Sequence, residues 1–285
     1  MFIIAGLENN KVKQLLHIEN KYTNNGQQVL SLSVGKKHAG FAITSQSGLD
    51  LYQLAVCSLD DSIAFGWNDK EMADFFAAFP ILNNQFYKVK VSYDFPESIL
   101  ISSREYKQEE SALLLNTLCG NTNNVLVVAE LVSDWQLYNI YAVPKDISDW
   151  LGSKFPAAQF SHQFSLNIKN INSADENGCL QIDFRKDDFT LIASKGNQFL
   201  LAQTFDYATP GDVIYTLLKT CKQFSLSQEM VLIKLTGLID IQSNLYKELY
   251  QYFYTIRFRE ANWQAGNEFP AHFFTLLNDL ALCES

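Results

Sequence analysis

The sequence predicts a mixed α/β protein with two similar halves. Leu30, Leu32 and Val34 alternate with Ser31 and Ser33, which is the period of two expected for a half-buried strand. Turns separate this strand from two further strands, and a helical pattern follows. The same order of strands, turns and helix recurs about 150 residues later along the chain. A length of 285 residues suits two domains, because domains usually contain roughly 100–200 residues each.

The first unit begins with the alternating strand and ends in an amphipathic helix. Its elements are a strand over 30–34, a turn over 35–38, a strand over 39–44, a turn over 45–48, a strand over 49–59 and a helix over 68–79. Asn68 is a favourable N-cap, because its side chain can accept a hydrogen bond from a backbone N–H of the first turn. Met72, Phe75, Phe76 and Phe79 recur at helical spacing and predict the buried face of this helix.

The second unit repeats this order in the C-terminal half. Its elements are a strand over 180–184, a turn over 185–188, a strand over 189–194, a turn over 195–198, a strand over 199–206 and a helix that begins at Thr209 or Pro210. Other strands are predicted over 86–93, 125–131, 137–143 and 230–235, and other helices over 105–118, 144–155, 244–254 and 271–282. Residues 8–27 support no assignment. We therefore predict a first lobe over 1–165 and a second over 166–285.

The charge composition argues against nucleic acid as a partner. The chain has 22 Lys and Arg against 31 Asp and Glu, a formal net charge of −9. Affinity for nucleic acids comes largely from basic side chains that release counterions from phosphates. Arginine, whose planar guanidinium is best shaped to hold phosphate, occurs at only four positions. We expect a protein that does not bind nucleic acid.

Cysteine usage and hydropathy predict a protein of the cytoplasm. The five cysteines are scattered and form no C-x-x-C motif, which favours buried, reduced thiols over a zinc or redox site. The apolar start of the chain is too short for a secretory core and has no basic residues before it. No apolar run approaches the roughly 20 residues needed to cross a bilayer. We expect no membrane insertion.

Several phrases of the sequence point to one family. They are Val-Pro-Lys at 143–145, Lys-Phe-Pro at 154–156 followed by His162, Phe-Asp-Tyr-Ala-Thr-Pro-Gly-Asp-Val-Ile-Tyr at 205–215, Leu-Thr-Gly-Leu-Ile at 235–239 and Phe-Pro-Ala-His-Phe-Phe at 269–274. With these phrases the chain resembles DUF3822, a bacterial family of unknown function, over most of its length from residue 28. The resemblance implies a duplicated actin-like fold of the RNase H-like kind, distantly similar to scaffold proteins of the PilM/GspL type. It implies no established activity.

An actin-like fold implies a nucleotide between the lobes, with its phosphates held by the first hairpin of each lobe. Glycine is needed there because backbone N–H groups must come close to phosphate oxygens, and an aspartate in each hairpin holds hydrated Mg²⁺. In the first hairpin, Gly35 is present and Lys36 follows it, but Ser33 stands at the position of the acid. A serine brings no negative charge to a divalent cation.

The second hairpin and the adenosine loop also depart from the pattern that the resemblance implies. Asp183 keeps the acid, but Phe184 and Arg185 replace small residues. We expect Phe184 to block the close approach of a phosphate if its ring points into the cleft. The loop that would lie against adenosine has Gly237 alone rather than a glycine pair.

Two hypotheses follow from this comparison. The first is a non-catalytic binding or scaffold protein that has no cofactor, keeps a degenerate nucleotide cleft and binds a protein partner. The alternative is an actin-like ATP-binding protein or weak ATPase that holds Mg-ATP with Ser33, Gly35, Lys36, Asp183, Arg185 and Gly237. No P-loop, dinucleotide-binding, zinc-protease or serine-hydrolase motif occurs in the sequence.

Each candidate residue also has a simpler structural interpretation. The interpretations are a solvated acidic turn for Asp183, Asp187 and Asp188, an exposed basic turn for Lys36, Lys37 and His38, a strand-to-helix turn for Gly237, and a hydrogen-bonded structural role for His162.

Overall fold

The computed structural model describes residues 12–20, 27–59, 69–120, 123–171, 175–263 and 269–283. In chain order, the strands are β1 (Val12–Glu19), β2 (Gln28–Gly35), β3 (His38–Ser45), β4 (Leu51–Leu59), β5 (Lys88–Asp94), β6 (Ser98–Ser102), β7 (Val125–Val132), β8 (Leu137–Pro144), β9 (Gln159–His162), β10 (Cys179–Phe184), β11 (Asp188–Lys195), β12 (Gln198–Asp206), β13 (Leu232–Gly237) and β14 (Thr255–Phe258). The helices are α1 (Asp69–Ala78), α2 (Ser111–Cys119), α3 (Lys145–Lys154), α4 (Gln163–Lys169), α5 (Pro210–Gln223), α6 (Asn244–Tyr252) and α7 (Thr275–Leu282).

Two large sheets form the two lobes. The first has the strand order β1-β4-β3-β2-β5-β9, and the second has the order β12-β11-β10-β13-β14. In each sheet three consecutive strands form an antiparallel meander, β2-β3-β4 in the first and β10-β11-β12 in the second. In the first sheet β5 pairs in parallel with both β2 and β9, and in the second sheet β13 pairs in parallel with both β10 and β14. Apart from the added β1, the two sheets have the same order and directions. Both predicted units are therefore present, while a common origin of the halves stays a prediction.

The predicted helix faces are buried as expected. Met72, Phe75, Phe76 and Phe79 of the first helical segment lie in the core of the first lobe. The rings of Phe75 and Phe79 meet Phe41 of β3 edge to face, with centroids 6.2 and 5.1 Å apart. This packing fixes α1 on one face of the first sheet.

Helix α5 begins at the predicted position because its first turn is capped. The side chain of Thr209 and the carboxylate of Asp212 form a reciprocal capping box, and Pro210 stands in the first turn, where no N–H partner is needed. Val213 and Leu217 then face the core of the second lobe.

A third, smaller sheet belongs to the first half of the chain. It has the antiparallel order β6-β8-β7, and α2 lies against it. The predicted helix over 105–118 is correct only in its second part. Residues 103–107 form a turn in which Tyr106 N donates to Ser102 O, and α2 begins only at Ser111, which is buried together with Leu115.

The C-terminal helix crosses back onto the first lobe. Phe274, Leu277 and Ala281 pack on the face of the first sheet that α1 does not cover. Lys90 of β5 is buried and its Nζ donates to the carbonyls of Ala281 and Cys283, 2.6 and 2.8 Å away. A cation at a helix C-terminus is favoured by the exposed carbonyls and the helix dipole. The C-terminal end of the chain thus ties the lobes together.

Residues 12–19 form the strand β1, which the sequence did not identify. It pairs with the outer edge of β4 through a register shift between Gln14 and Leu16. Throughout the described part of the chain, every helix is too short or too polar to span a bilayer.

Candidate functional site in the cleft between the lobes

The two lobes meet at a buried cluster of charges. Arg185 follows β10 of the second sheet, and its Nη1 donates to Asp94 Oδ2 at the end of β5 in the first sheet, 3.2 Å away. The same nitrogen donates to Asp183 Oδ2 at 3.1 Å, and Nε donates to Asp188. Nη2 donates to the hydroxyl of Thr190 at 2.9 Å. One guanidinium therefore joins three carboxylates from both lobes.

Asp94 holds its charge because two donors face it. Burial alone would raise the pKa of Asp94, but the charge of Arg185 and the hydrogen bond from His38 outweigh burial and hold the pKa well below its ordinary value. His38 Nε2 lies 2.9 Å from Asp94 Oδ2. Gly35 makes room for this contact, because a Cβ there would lie 2.1 Å from the His38 ring.

The pKa of Asp183 is shifted in the opposite direction to that of Asp94. Burial raises its pKa, the charge of Arg185 lowers it, the charge of Asp94 raises it again, and the result is a pKa of about 6. The hydroxyl of Thr236 donates to Asp183 Oδ1 at 2.9 Å. When Asp183 is protonated, its carboxyl O–H can donate a hydrogen bond to the hydroxyl of Thr236. That hydroxyl can then donate its own hydrogen to the carbonyl of Ile182, which it also faces.

Gly237 is required by the close approach of β13 to β10. It has φ +77, and a Cβ would lie 2.2 Å from the carbonyl oxygen of Phe184. The amide of Leu238 donates to that same carbonyl at 2.7 Å. The position ends β13 in a turn, as predicted, and it also brings the following loop to the cleft.

The ring of Phe184 does not point into the cleft. Side chains of a strand alternate between faces, so Asp183 and Arg185 face the first lobe while Phe184 faces the core of its own lobe. There its ring packs against Phe189 and Tyr207, with centroids 5.7 and 6.0 Å apart. The cleft is filled by the guanidinium of Arg185 and not by the phenyl ring that the sequence led us to consider.

A cavity lies beside the charge cluster. Its volume is about 80 Å³. Its lining includes the predicted residues Ser33, Asp183, Arg185 and Gly237. Apolar side chains from the first sheet and from the C-terminal segment cover the opposite wall.

The other two predicted residues lie outside the lining. Gly35 supports the contact between His38 and Asp94 from behind. Lys36 is exposed, and its Nζ lies 4.0 Å from Glu97, so it points away from the cavity. The prediction of an exposed basic turn is confirmed for Lys36 and Lys37 but is wrong for His38, which pairs with Asp94.

The solvated acidic turn is confirmed only for Asp187. Its side chain is 45% exposed, whereas those of Asp183 and Asp188 are 8% and 18% exposed. The interpretation of Asp183 and Asp188 as solvated turn charges is wrong. Both carboxylates are largely buried, and the guanidinium of Arg185 lies between them and compensates their negative charge.

Sequence reasoning missed Asp94. Its signal is weak: an acid at the end of a predicted strand. Because β5 pairs in parallel with β2, the carboxyl ends of both strands meet at the same edge of the sheet. Knowledge of that pairing was needed to place Asp94 beside the first hairpin.

His162 has the structural role that the sequence predicted. It is fully buried, its Nε2 donates to the carbonyl of Phe95 at 3.0 Å, and its Nδ1 accepts from Phe164 N at 3.1 Å. Burial lowers the pKa of His162 to about 4, which keeps the ring neutral.

Known proteins show the family and the fold. The family described as "Protein of unknown function (DUF3822)" matches residues 17–256. A solved structure from Bacteroides thetaiotaomicron, described as having an actin-like ATPase fold and unknown function, matches with a TM-score of 0.75 and 20% identity, covering 93% of this chain and 99% of that one. A chain of the PilM-PilN type IV pilus biogenesis complex matches with a TM-score of 0.57 and 12% identity, covering 89% and 97%. No curated protein matches the sequence. The predicted actin-like fold is confirmed.

We expect Arg185→Met to destabilise the protein by about 3–5 kcal/mol, because it leaves buried carboxylates without their counter-charge. Urea denaturation measures this change. Lys186→Met, on the exposed side of the same turn, is the control and should stay within about 0.5 kcal/mol of the wild type. A stable Arg185→Met protein would show that the cluster does not hold the lobes together.

We expect Asp183 to contribute stability to the folded state that grows as the pH falls from 7 through 6 toward 4, because it binds its proton more tightly when folded, with a pKa of about 6 against an ordinary 3.8. The gain from this group is about 3 kcal/mol at most. Asp183→Asn should remove it, so the difference in stability between wild type and variant should change across this range. Asp187→Asn is the matched control, and parallel curves for Asp183→Asn would contradict the assignment.

Proposed function

Given that the chain belongs to the DUF3822 family and has an actin-like fold, we propose that it is a non-catalytic binding protein with a degenerate nucleotide cleft and a protein partner. The single observation that carries this proposal is the guanidinium of Arg185, bonded to Asp94, Asp183 and Asp188 between the lobes.

Electrostatics in the cleft disfavour a polyphosphate. The three carboxylates of the cluster outnumber its one arginine, so an added phosphate would face net negative charge at short range. The guanidinium donors that would bind phosphate are already used within the protein. A nucleotide would first have to break these bonds and leave buried carboxylates uncompensated.

The side chains of the cleft also disfavour a bound magnesium ion. Asp183 is bonded to Arg185 and Thr236, and Ser33 contributes a neutral hydroxyl from the other hairpin. A magnesium ion needs free carboxylate or water oxygens around it. Arg185 supplies the positive charge beside these acids that a magnesium ion would otherwise supply. This supports the proposal that the cleft no longer binds a magnesium nucleotide.

Exposed apolar side chains support a protein partner. Leu113 and Leu118 on α2 are 67% and 68% exposed, and Leu126 and Leu131 on β7 are about half exposed. These exposed apolar side chains are available for contact with a protein partner. The structural neighbour from the PilM-PilN complex is itself a component of a protein assembly.

The rival hypothesis is an ATP-binding protein or weak ATPase. It is favoured by one observation, that Ser33, Asp183 and Gly237 still line the cavity beside the cluster. Binding of Mg-ATP separates the two hypotheses.

We expect millimolar Mg-ATP to leave the thermal unfolding temperature unchanged, compared with Mg²⁺ alone. A ligand present at 100 times its dissociation constant adds roughly 2.7 kcal/mol to stability, which shifts unfolding by several degrees. A clear upward shift that disappears in Asp183→Ala would establish the rival hypothesis instead.

We expect cross-linked capture from the native cell extract to recover a partner with the wild type but not with a Leu113→Ser/Leu118→Ser variant. Because both side chains are exposed, the variant should unfold at the same temperature as the wild type. Recovery of the same proteins by both, or only in the presence of nucleotide, would count against this surface and this function.

A further inference from the structure

The strand β7 (Val125–Val132) forms an uncovered edge of the small sheet. It pairs with β8 on one side, and no described strand pairs with it on the other. An uncovered edge presents a row of unpaired N–H and C=O groups to which another strand can bind. Proteins usually protect such edges with short length, bulges, prolines or charged side chains. An edge without this protection is therefore a candidate interaction surface.

Among the described strands, the other edges are protected in these ways. The edge strands β6, β9 and β14 have only five, four and four residues. The longer edge strands β1 and β12 each have a register shift in their pairing, and they carry the exposed charges of Lys13 and Asp206. In contrast, β7 has eight residues in continuous register with β8 and contains no proline. Its side chains are apolar except that of Glu130.

The register shows which backbone groups of β7 face outward. Residue pairs in an antiparallel ladder alternate between hydrogen-bonded pairs and pairs without these bonds. The N–H of Lys145 donates to the carbonyl of Asn124, just before β7 and in the same register as the strand, so the even-numbered residues bond to β8. The odd-numbered residues direct N–H and C=O groups outward, and among the described residues these groups have no partner: Val125, Val127, Ala129 and Leu131.

Charge does not select an oppositely charged partner for this edge. Glu130 is its one charged residue, and Glu130 Oε2 already accepts a hydrogen bond from His162 N, 2.9 Å away. A basic or an acidic peptide would find no cluster of opposite charge on β7. A second copy of the same edge matches it instead, because it brings apolar side chains and outward backbone groups of the same spacing.

Antiparallel pairing of two copies of β7 satisfies these backbone groups in one register. When the pairing is centred on Val128, Val125 lies opposite the partner's Leu131, and Val127 lies opposite the partner's Ala129. Each of these pairs can exchange two hydrogen bonds, so all four outward residues of both strands are used. Moving the centre by one residue along the strand leaves one outward residue of each copy unpaired. A twofold axis at Val128 therefore gives the complete ladder.

This register also suits the side chains. In an antiparallel pair, the side chains of opposite residues lie on the same face of the sheet and contact each other. Glu130 lies opposite the partner's Leu126, so two carboxylates do not meet. Leu126 and Leu131, which are 45% and 48% exposed in the single chain, lie inside the paired region. Their exposure is explained if a second strand covers this edge.

We propose that β7 pairs antiparallel with β7 of a second copy of this chain, with Val128 at the twofold axis. The two three-stranded sheets then form one continuous antiparallel sheet across the dimer. This inference deepens the proposed function and rests on it, because it names a second copy of the chain as a protein partner of the surface that contains Leu126 and Leu131.

Cysteine cross-linking of the full chain tests the register. Val128→Cys should form a disulfide-linked dimer on mild oxidation, because its two copies lie opposite each other with Cα atoms about 4.5 Å apart, within disulfide range. Leu126→Cys is the matched control. It is the more exposed position, but its two copies lie four residues apart along the strands, about 14 Å, which a disulfide cannot bridge. Non-reducing gels measure both, and the wild type with its own five cysteines gives the background.

Sedimentation velocity tests the dimer without a cross-link. At about 100 μM, where even a micromolar complex forms, the wild type should sediment with twice the 32.4 kDa mass of the chain. Val127→Pro removes an outward N–H and leaves the bonds to β8 intact, so it should stay folded by circular dichroism and dimerise at least about tenfold more weakly. Val127→Thr keeps the N–H and should dimerise like the wild type.

The proposal is overturned if the wild type is a monomer at this concentration, or if Leu126→Cys cross-links as well as Val128→Cys. If Val127→Pro does not fold, the two cysteine variants decide. The outcomes are separate from those of the proposed function. A monomer that captures a different protein would overturn the dimer alone, and a dimer whose unfolding temperature rises with Mg-ATP would overturn the proposed function alone.

Discussion

The arrangement of the two lobes depends on one buried arginine. Arg185 lies between Asp94, Asp183 and Asp188, and its positive charge is what permits three carboxylates to be buried close together. Without this guanidinium the carboxylates would be buried with no counter-charge, which is strongly unfavourable. The cleft is therefore organised around a side chain of the protein itself.

The C-terminal segment also joins the two lobes. Helix α7 packs on the first sheet although it follows the second lobe in sequence, and Lys90 holds its last carbonyls. The apolar face of α7 and the polar cluster of Arg185 together enclose a cavity with two unlike walls. Its shape and chemistry come from both lobes, which is why they can be argued only from the assembled structure.

Fold and function separate clearly in this protein. The strand order of both sheets and the structural neighbours show an actin-like ATPase fold, but a fold of this kind hosts several functions. The proposed function rests instead on particular side chains: Arg185, whose donors are bonded to the acids of the cleft, and Ser33, which stands where a metal would need an acid.

The sequence by itself determined many of the elements and their order, because strand alternation, helical spacing and caps are local patterns. It identified both meanders, the buried face of α1, the start of α5 and four of the residues that line the cavity, but not β1, β6, β9, β14, α4 or Asp94. Tertiary structure alone decided that Arg185 meets Asp94, which lies 91 positions away, and that Phe184 turns into the core of its own lobe. These contacts depend on which strands are neighbours and how two sheets meet, and no local pattern carries that information.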